Sequence, residues 1–378
     1  MTDPFARTAG SRPLLGILTM EDKQRKFRGN HHNFKDIVLV GEKLNYEVYV
    51  VPLEHVKLEE EFIQAYGYNR ETNKWVEKNI PLPLVLYNRI PLREDEMNPK
   101  VKAKIKAIMQ HAPIQFFNPY FFNKWTLRKW LLKSNITKRF IPETKRLTEK
   151  TNLRRWLSRH KSIYLKPASG KAGAGIMKIN KQKPPKRYKL TVQANASSQC
   201  FQYITSKKLK EKVLSISENE KYIIQQGIDL LTNNNRPFDL RLLAQKNILG
   251  EWEITGMGAR IAGSSSITTH VPRGGSIGDP SKLISSFYTK KRAEKIISRS
   301  KRVALVITKQ IEKCSKHSLG EMSLDLGLDI NGKVWFFEAN SKPMKFDERH
   351  IRKVSLERII QYSVYLSQKT TPQNNNIL

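Results

Sequence analysis

A chain of 378 residues with 39% apolar residues is long enough for two or three packed units and too apolar for wholesale disorder. Its charge is lopsided: 68 Lys and Arg stand against 34 Asp and Glu, a net +34, which favours polyanionic partners such as nucleotides, anionic polymers or acidic proteins. Two cysteines exclude a disulfide framework, no apolar run approaches the ~20 residues of a membrane span, and residues 1–13 lack an apolar signal core, so a cytoplasmic protein is expected.

The apolar run 14–18 predicts a buried strand, and 32–44 has helical spacing. Further strands are expected at 46–51, 84–87 and 114–117, with a helix at 99–110. This alternation predicts a small parallel α/β unit over residues 1–118. Next come a helix at 122–132, an extended segment at 141–144, a helix at 153–159 and a strand at 163–167. A glycine-rich loop at 170–175 and a return strand at 176–179 follow. Later strands are expected at 222–226, 240–245, 252–261, 322–328 and 334–339, with long helical patterns at 281–314. The whole reads as mixed α/β with antiparallel sheet in its second half. Residues 369–378 are polar and are expected to fray.

The clearest chemistry lies near the C-terminus. Asn331-Gly332 between apolar runs predicts a two-residue hairpin, because both residues tolerate positive φ. Ile330 then faces Lys333, and Asp325 faces Glu338; a symmetric four-residue loop gives the same register, and a three-residue loop would not. Strand alternation puts Asn340 on the face of Asp325 and Glu338, with Met322, Leu324, Leu326 and Leu328 on the other. Two opposed carboxylates repel unless a cation intervenes, and an all-oxygen set suits magnesium, with manganese able to substitute.

In the strand at 163–167, Ile163 and Leu165 point one way and Tyr164 and Lys166 the other, and a lysine there suits a phosphate oxygen. The small residues that follow, Gly170, Gly173 and Gly175 among them, let backbone N–H groups approach phosphates closely. The loop is neither a Walker A nor a GxGxxG motif.

With these residues assembled, the chain resembles the ATP-grasp superfamily and, more narrowly, the YheC/YheD endospore coat-associated family. The resemblance implies a pre-ATP-grasp α/β domain at 1–118, an N-terminal ATP-grasp (lid) subdomain at 119–225 and a C-terminal subdomain with the metal site at 226–368. It implies that Lys124 and Lys166 contact the nucleotide and that Gln225, Gln226, Gly227 and Ile228 form a hinge at the adenine edge. Many relatives carry Glu where Gln226 stands. Asp229 becomes a candidate ribose contact. Asp239-Leu240-Arg241 resembles an element near the acceptor site. Arg241 becomes a candidate catalytic group of that element, and Arg260 and Arg273 become candidate catalytic groups facing the γ-phosphate or an acyl phosphate. Asp325, Glu338 and Asn340 become the metal ligands, for one magnesium ion or two with Glu338 shared.

The activity so implied is ATP-dependent, ADP-forming carboxylate–amine ligation in a cytoplasmic protein associated with the spore coat. A coat protein that does not turn over is the alternative. The stretch 121–190 holds 21 Lys or Arg against Glu143 and Glu149, which points to an acidic polymer or peptide as acceptor. Nucleic acid is not expected, since no zinc spacing, RNA-recognition motif or basic zipper appears. His31, His32 and His270 are read as surface histidines.

Overall fold

The computed structural model describes residues 14–370 apart from 170–174, 186, 195–196, 218–220, 265, 270 and 272–273. Its first sheet runs in the order Lys74–Pro81, Phe62–Asn69, Glu47–Pro52, Leu14–Thr19, Val85–Asn88, Gln115–Phe117. The last four are parallel, as the alternation predicts. The first two form an antiparallel hairpin that widens the sheet, so it is mixed rather than wholly parallel. Leu15 and Ile17 face the helix His31–Lys43, while Leu18 joins Ile105 and Ile108 of the helix Pro99–Gln110 on the other side. Burial on both faces explains the continuous apolar run of the central strand.

The second sheet is antiparallel, in the order Ser198–Tyr203, Tyr188–Gln193, Met177–Lys181, Ser162–Pro167, Tyr222–Gln226, Thr144–Arg146. Ile163, Leu165, Met177, Ile179 and Leu190 pack against helices Leu153–Arg159 and Ser206–Ser217. The opposite face, with Tyr164 and Lys166, is left to line a cleft.

The third sheet supplies the other wall. Its order is Ser276–Gly278, Trp252–Ile261, Arg236–Lys246, Glu321–Leu328, Val334–Asn340. Met322, Leu324, Leu326 and Leu328 are fully buried beneath the 26-residue helix Lys290–Ser315. The final helix, Arg349–Thr370, does not stay with this sheet alone. Leu356, Ile359, Ile360, Tyr362, Val364 and Leu366 enter the core of the first sheet, Tyr362 meets Phe117 edge-on at 5.3 Å, and Arg352 pairs with Asp36 at 2.8 Å. Residues 369 and 370, expected to fray, are the last two of this helix, and 371–378 lie outside the described residues.

Two buried polar clusters fix the junction between the first and third sheets. Glu321 accepts from the Tyr87 hydroxyl, from Arg89 at 3.3 Å and from Gln245 at 3.0 Å. Lys342 donates to Glu96, to Asn88 Oδ1 at 2.9 Å and to the Ile90 carbonyl at 3.2 Å.

Candidate functional site

The cleft between the second and third sheets gathers side chains from segments far apart in sequence. Asn123 accepts from the backbone N–H groups of Trp125 and Thr126, which starts the helix Lys124–Leu132 and sets Lys124 at its first position. Lys124 Nζ reaches Glu338 Oε1 at 2.9 Å, and its side chain is only 13% exposed, so it is no ordinary surface lysine.

Lys166 enters from the second sheet, as the alternation predicts. Its Nζ donates to Gln225 Oε1 at 2.7 Å, and Gln225 Nε2 donates to Thr144 Oγ1 at 3.2 Å. Removal from bulk water and the nearby charge of Lys124 push the Lys166 ammonium down to about 8, against the pull of Glu338, Asp239 and Asp325. A cation left so poorly compensated is suited to an incoming anion.

The segment at 225–229 leaves the strand at the cleft's rim. Gln226 donates its backbone N–H to the Glu143 carbonyl at 2.8 Å, and its Oε1 accepts from the Glu143 N–H at 3.2 Å. That amide oxygen, offered by the sequence to an adenine, braces the edge strand here. Gly227 donates to the Ser162 carbonyl at 2.9 Å, and a Cβ on it would fall 2.0 Å from Ser162 Oγ, so only glycine fits. Ile228 lines the cleft. Asp229 lies outside the lining and pairs with Lys161 at 2.9 Å.

The third sheet contributes an ion-pair chain. Arg260 binds Asp239 through Nε and an NH2 nitrogen at 3.1 and 2.9 Å, and the same NH2 nitrogen lies 2.8 Å from Asp325. Burial works against the guanidinium charge, but Asp239 and Asp325 more than offset it and hold its pKa above the usual arginine range. Asp239 thus pairs with Arg260 and not with Arg241, whose guanidinium lies over the Phe346 ring at 5.3 Å, outside the cleft lining. Thr269 Oγ1 also donates to Asp239, at 2.5 Å.

Asp325 does face Glu338, by a route other than the expected one. The turn is not a two-residue Asn-Gly turn. Gly332 donates to the Asp329 carbonyl at 2.8 Å, Asp329 donates to the Lys333 carbonyl at 3.0 Å, and of the two only Gly332 has positive φ. Asp329 Oδ1 accepts from Asn331 and Lys333, holding a three-residue loop that puts Asp329, not Ile330, opposite Lys333. This register carries through Leu326 opposite Phe336. A bulge then inserts Phe337 and restores the pairing of Asp325 with Glu338 and of Ser323 with Asn340.

Asp325, Glu338 and Asn340 therefore occupy one face, with Asn340 outside the cleft lining. Among the described residues no three of His, Cys, Asp and Glu cluster to hold a metal ion, so a site here would consist of two carboxylates and an amide. The all-oxygen donor set suits a hard cation, and among the described residues the buried Ser323 Oγ beside Asn340 has no hydrogen-bond partner, while Lys124 and Arg260 already pair with the two carboxylates.

Gly170, Gly173, Arg273 and His270 lie outside the described residues. Gly175 has φ +67°, and a Cβ there would come 2.7 Å from the Tyr222 hydroxyl, which donates to its carbonyl at 3.0 Å. His31 stacks on Phe27 with ring centroids 4.1 Å apart and is outside the cleft lining. Sequence reasoning missed Thr268 and Thr269, and the tie that brings their loop to the second sheet. Gln193 Oε1 accepts from Ser266 Oγ and the Ile267 N–H at 3.0 and 2.9 Å. The density of Ser and Thr in 264–269 was the available signal.

The sequence-family model described as YheC/D like ATP-grasp matches residues 113–366. The endospore coat-associated protein YheD of Bacillus subtilis (strain 168) is 30% identical over 379 residues, covering 96% of this chain and 81% of YheD. YheC of the same organism is 25% identical over 292 residues, 74% of this chain and 76% of YheC. Among solved structures, the D-alanyl-alanine synthetase A of Vibrio cholerae O1 superposes with a TM-score of 0.52 at 13% identity, covering 95% of this chain and 97% of that one.

Proposed function

Because the chain belongs to the YheC/D-like ATP-grasp family, we propose that it binds magnesium-ATP between its second and third sheets and forms an amide or similar bond from a carboxylate. The observation that carries this reading is the meeting of Lys124, Lys166 and Arg260 with Asp325 and Glu338 in one cleft. Ile176, Ile228, Leu230 and Phe337 give that cleft an apolar portion suited to a planar base.

The reaction moves the γ-phosphoryl group of ATP to a substrate carboxylate oxygen, with ADP leaving. An amine nitrogen then attacks the acyl carbon, phosphate departs, and the amine gives up a proton. Such chemistry depends on position and charge neutralisation more than on a protein nucleophile. Lys124 and Lys166 orient the phosphates, and Arg260 faces the charge that develops during transfer. Asp325, Glu338 and Asn340 would hold magnesium, which supplies charge neutralisation at the phosphate oxygens when bound. The apolar walls exclude water.

The domain boundaries at 118 and 225, a cytoplasmic setting, and association with the spore coat, as in the names of YheD and YheC, belong to the same proposal. The basic 121–190 stretch supports an acidic polymer or peptide as the substrate class. The test is ADP release by the full chain with magnesium and candidate acidic acceptors, alongside calorimetric titration with ATP. Nucleotide binding without turnover on any acceptor would favour a coat protein that has kept the cleft. Absence of nucleotide binding would overturn the proposal.

A further inference from the structure

The helix Lys290–Ser315 covers the third sheet on the side away from the cleft. Its buried face is mostly apolar: Ile296, Val303, Ile307 and Ile311 point into the core, with Ser300 and Thr308 buried among them. Its outer face is uniform in sign. At 3.6 residues per turn, Lys291, Lys295, Arg299, Arg302, Lys309 and Lys313 fall within one stripe about 100° wide and about 33 Å long. All six are exposed. The helix's two acids lie off the stripe, on one flank: Glu294, and Glu312, which is taken by Lys246 and Trp252 at 2.5 and 2.6 Å.

None of the six cations pairs with a carboxylate among the described residues; Arg302 donates to Ser298 Oγ at 3.3 Å. Surface helices ordinarily gain from opposite charges three or four positions apart, and like charges at that spacing cost stability. This stripe has like charges at 291 and 295, at 295 and 299, at 299 and 302, and at 309 and 313. Glu294 and Glu312 stand three positions from Lys291 and Lys309, yet neither pairs with the stripe, so an external anion would relieve its self-repulsion. At the middle of the stripe Val306 is 36% exposed, an apolar spot within the basic row. Duplex DNA offers nothing apolar on its phosphate ridge, whereas a protein surface does.

We propose that this helix docks an acidic amphipathic helix of a partner protein, whose carboxylates recur at the same three- and four-residue spacing around a central apolar side chain. Such a helix matches the stripe step for step at about 5 Å per charge. The sheet lies between this surface and Asp325 and Glu338, so docking and nucleotide chemistry are separable. The inference does not rest on the ligase reading.

The test is fluorescence anisotropy with the full chain at about 150 mM salt, where only close charge pairs persist. One probe is a labelled helical peptide with Glu at three- and four-residue spacing around a central Leu. The other is a labelled DNA duplex of equal charge. The stripe variant Lys295→Glu/Arg299→Glu/Arg302→Glu is compared with Lys207→Glu/Lys208→Glu/Lys210→Glu, which changes net charge equally on another helix. The expected result is a loss of at least tenfold in peptide affinity for the stripe variant and less than twofold for the other. Val306→Asp should lower affinity further, with melting temperature and nucleotide binding unchanged. Should the glutamate variant fail to fold, Lys295→Ala/Arg299→Ala/Arg302→Ala replaces it, with a loss of at least fivefold expected. Equal losses from both triple variants would reduce the effect to net charge and overturn the proposal. So would a duplex that binds the stripe more tightly than the peptide does.

Discussion

Lys124 and Glu338 stand 214 positions apart and meet at 2.9 Å, which makes one salt bridge the clasp between the start of the helix Lys124–Leu132 and the last strand of the third sheet. The pair is mostly sheltered from solvent, and Glu338 is also the carboxylate that faces Asp325. Glu338→Gln keeps shape and a hydrogen-bond acceptor for Lys124 while removing the charge. We expect ADP release to fall at least a hundredfold, a loss of about 3–4 kcal/mol of transition-state stabilisation. The melting temperature should move little. Near-normal ADP release would remove Glu338 from the site.

Lys166 carries a pH signature. Its folded pKa of about 8 lies below the ~10.4 of an unfolded lysine. Below about pH 8 both states hold the proton, and the cost of sheltering the charge is present in full. Between about 8 and 10.4 the unfolded chain binds more protons, so this group's contribution to stability rises with pH across that window. Bound triphosphate favours the charged form, so ATP affinity should fall as pH rises through about 8, by up to about tenfold per unit. Titrations from pH 7 to 9.5 should show this for the native chain and a flatter profile for Lys166→Arg. Identical profiles would place the lysine away from the phosphates.

Arg260 sits between two buried carboxylates, so its removal leaves Asp239 and Asp325 facing each other without a cation. Arg260→Ala should cost about 3–5 kcal/mol. If the face of Asp325 accepts a hard cation, millimolar magnesium should restore part of the lost melting temperature in this variant and far less in Arg260→Ala/Asp325→Asn. Melting curves with and without magnesium decide it, and an equal shift in the two variants counts against a metal there.

Lys342 and Glu96 form a buried pair, 3% and 8% exposed, joining the loop after Asn340 to the first sheet's unit. Burial pushes Lys342 down to about 8 despite the pull of Glu96. Losing either partner strands the other, so Lys342→Met and Glu96→Gln should each cost about 3–5 kcal/mol. The double variant should lose less than the two combined, because no buried charge remains. Denaturant melts of all four proteins give the coupling, and simple additivity would mean that the two do not act as a pair.

The opposition of Asp325 and Glu338 was legible in the sequence, but the local route to it was not. Alternation gave the face, whereas the loop geometry turned on Asp329, whose side chain caps the turn and shifts the register. Phe337 then shifts it back. A bulge leaves no mark in an apolar run such as Trp335-Phe336-Phe337. Lys166 was readable because its neighbours alternate cleanly. The Arg260–Asp239 pair was not, because it joins two strands whose register nothing local sets. The hairpin Phe62–Asn69 with Lys74–Pro81 escaped notice because its outer strand is mostly polar and exposed. The final helix escaped for the opposite reason. Tyr362, Ser363 and Val364 are buried in succession, so no single apolar stripe announces it.

That last helix has a bearing on how the polypeptide is born. Its residues 356–366 join the hydrophobic interior of a sheet whose strands all lie before residue 118. During synthesis Leu15 and Ile17 can pack early against the helix His31–Lys43, but Phe117 lacks the edge-on contact of Tyr362 until the helix Arg349–Thr370 has been made. A translation product stopped short of residue 356 would carry an open greasy seam where Tyr362, Val364 and Leu366 dock, prone to aggregate or to be taken up by chaperones.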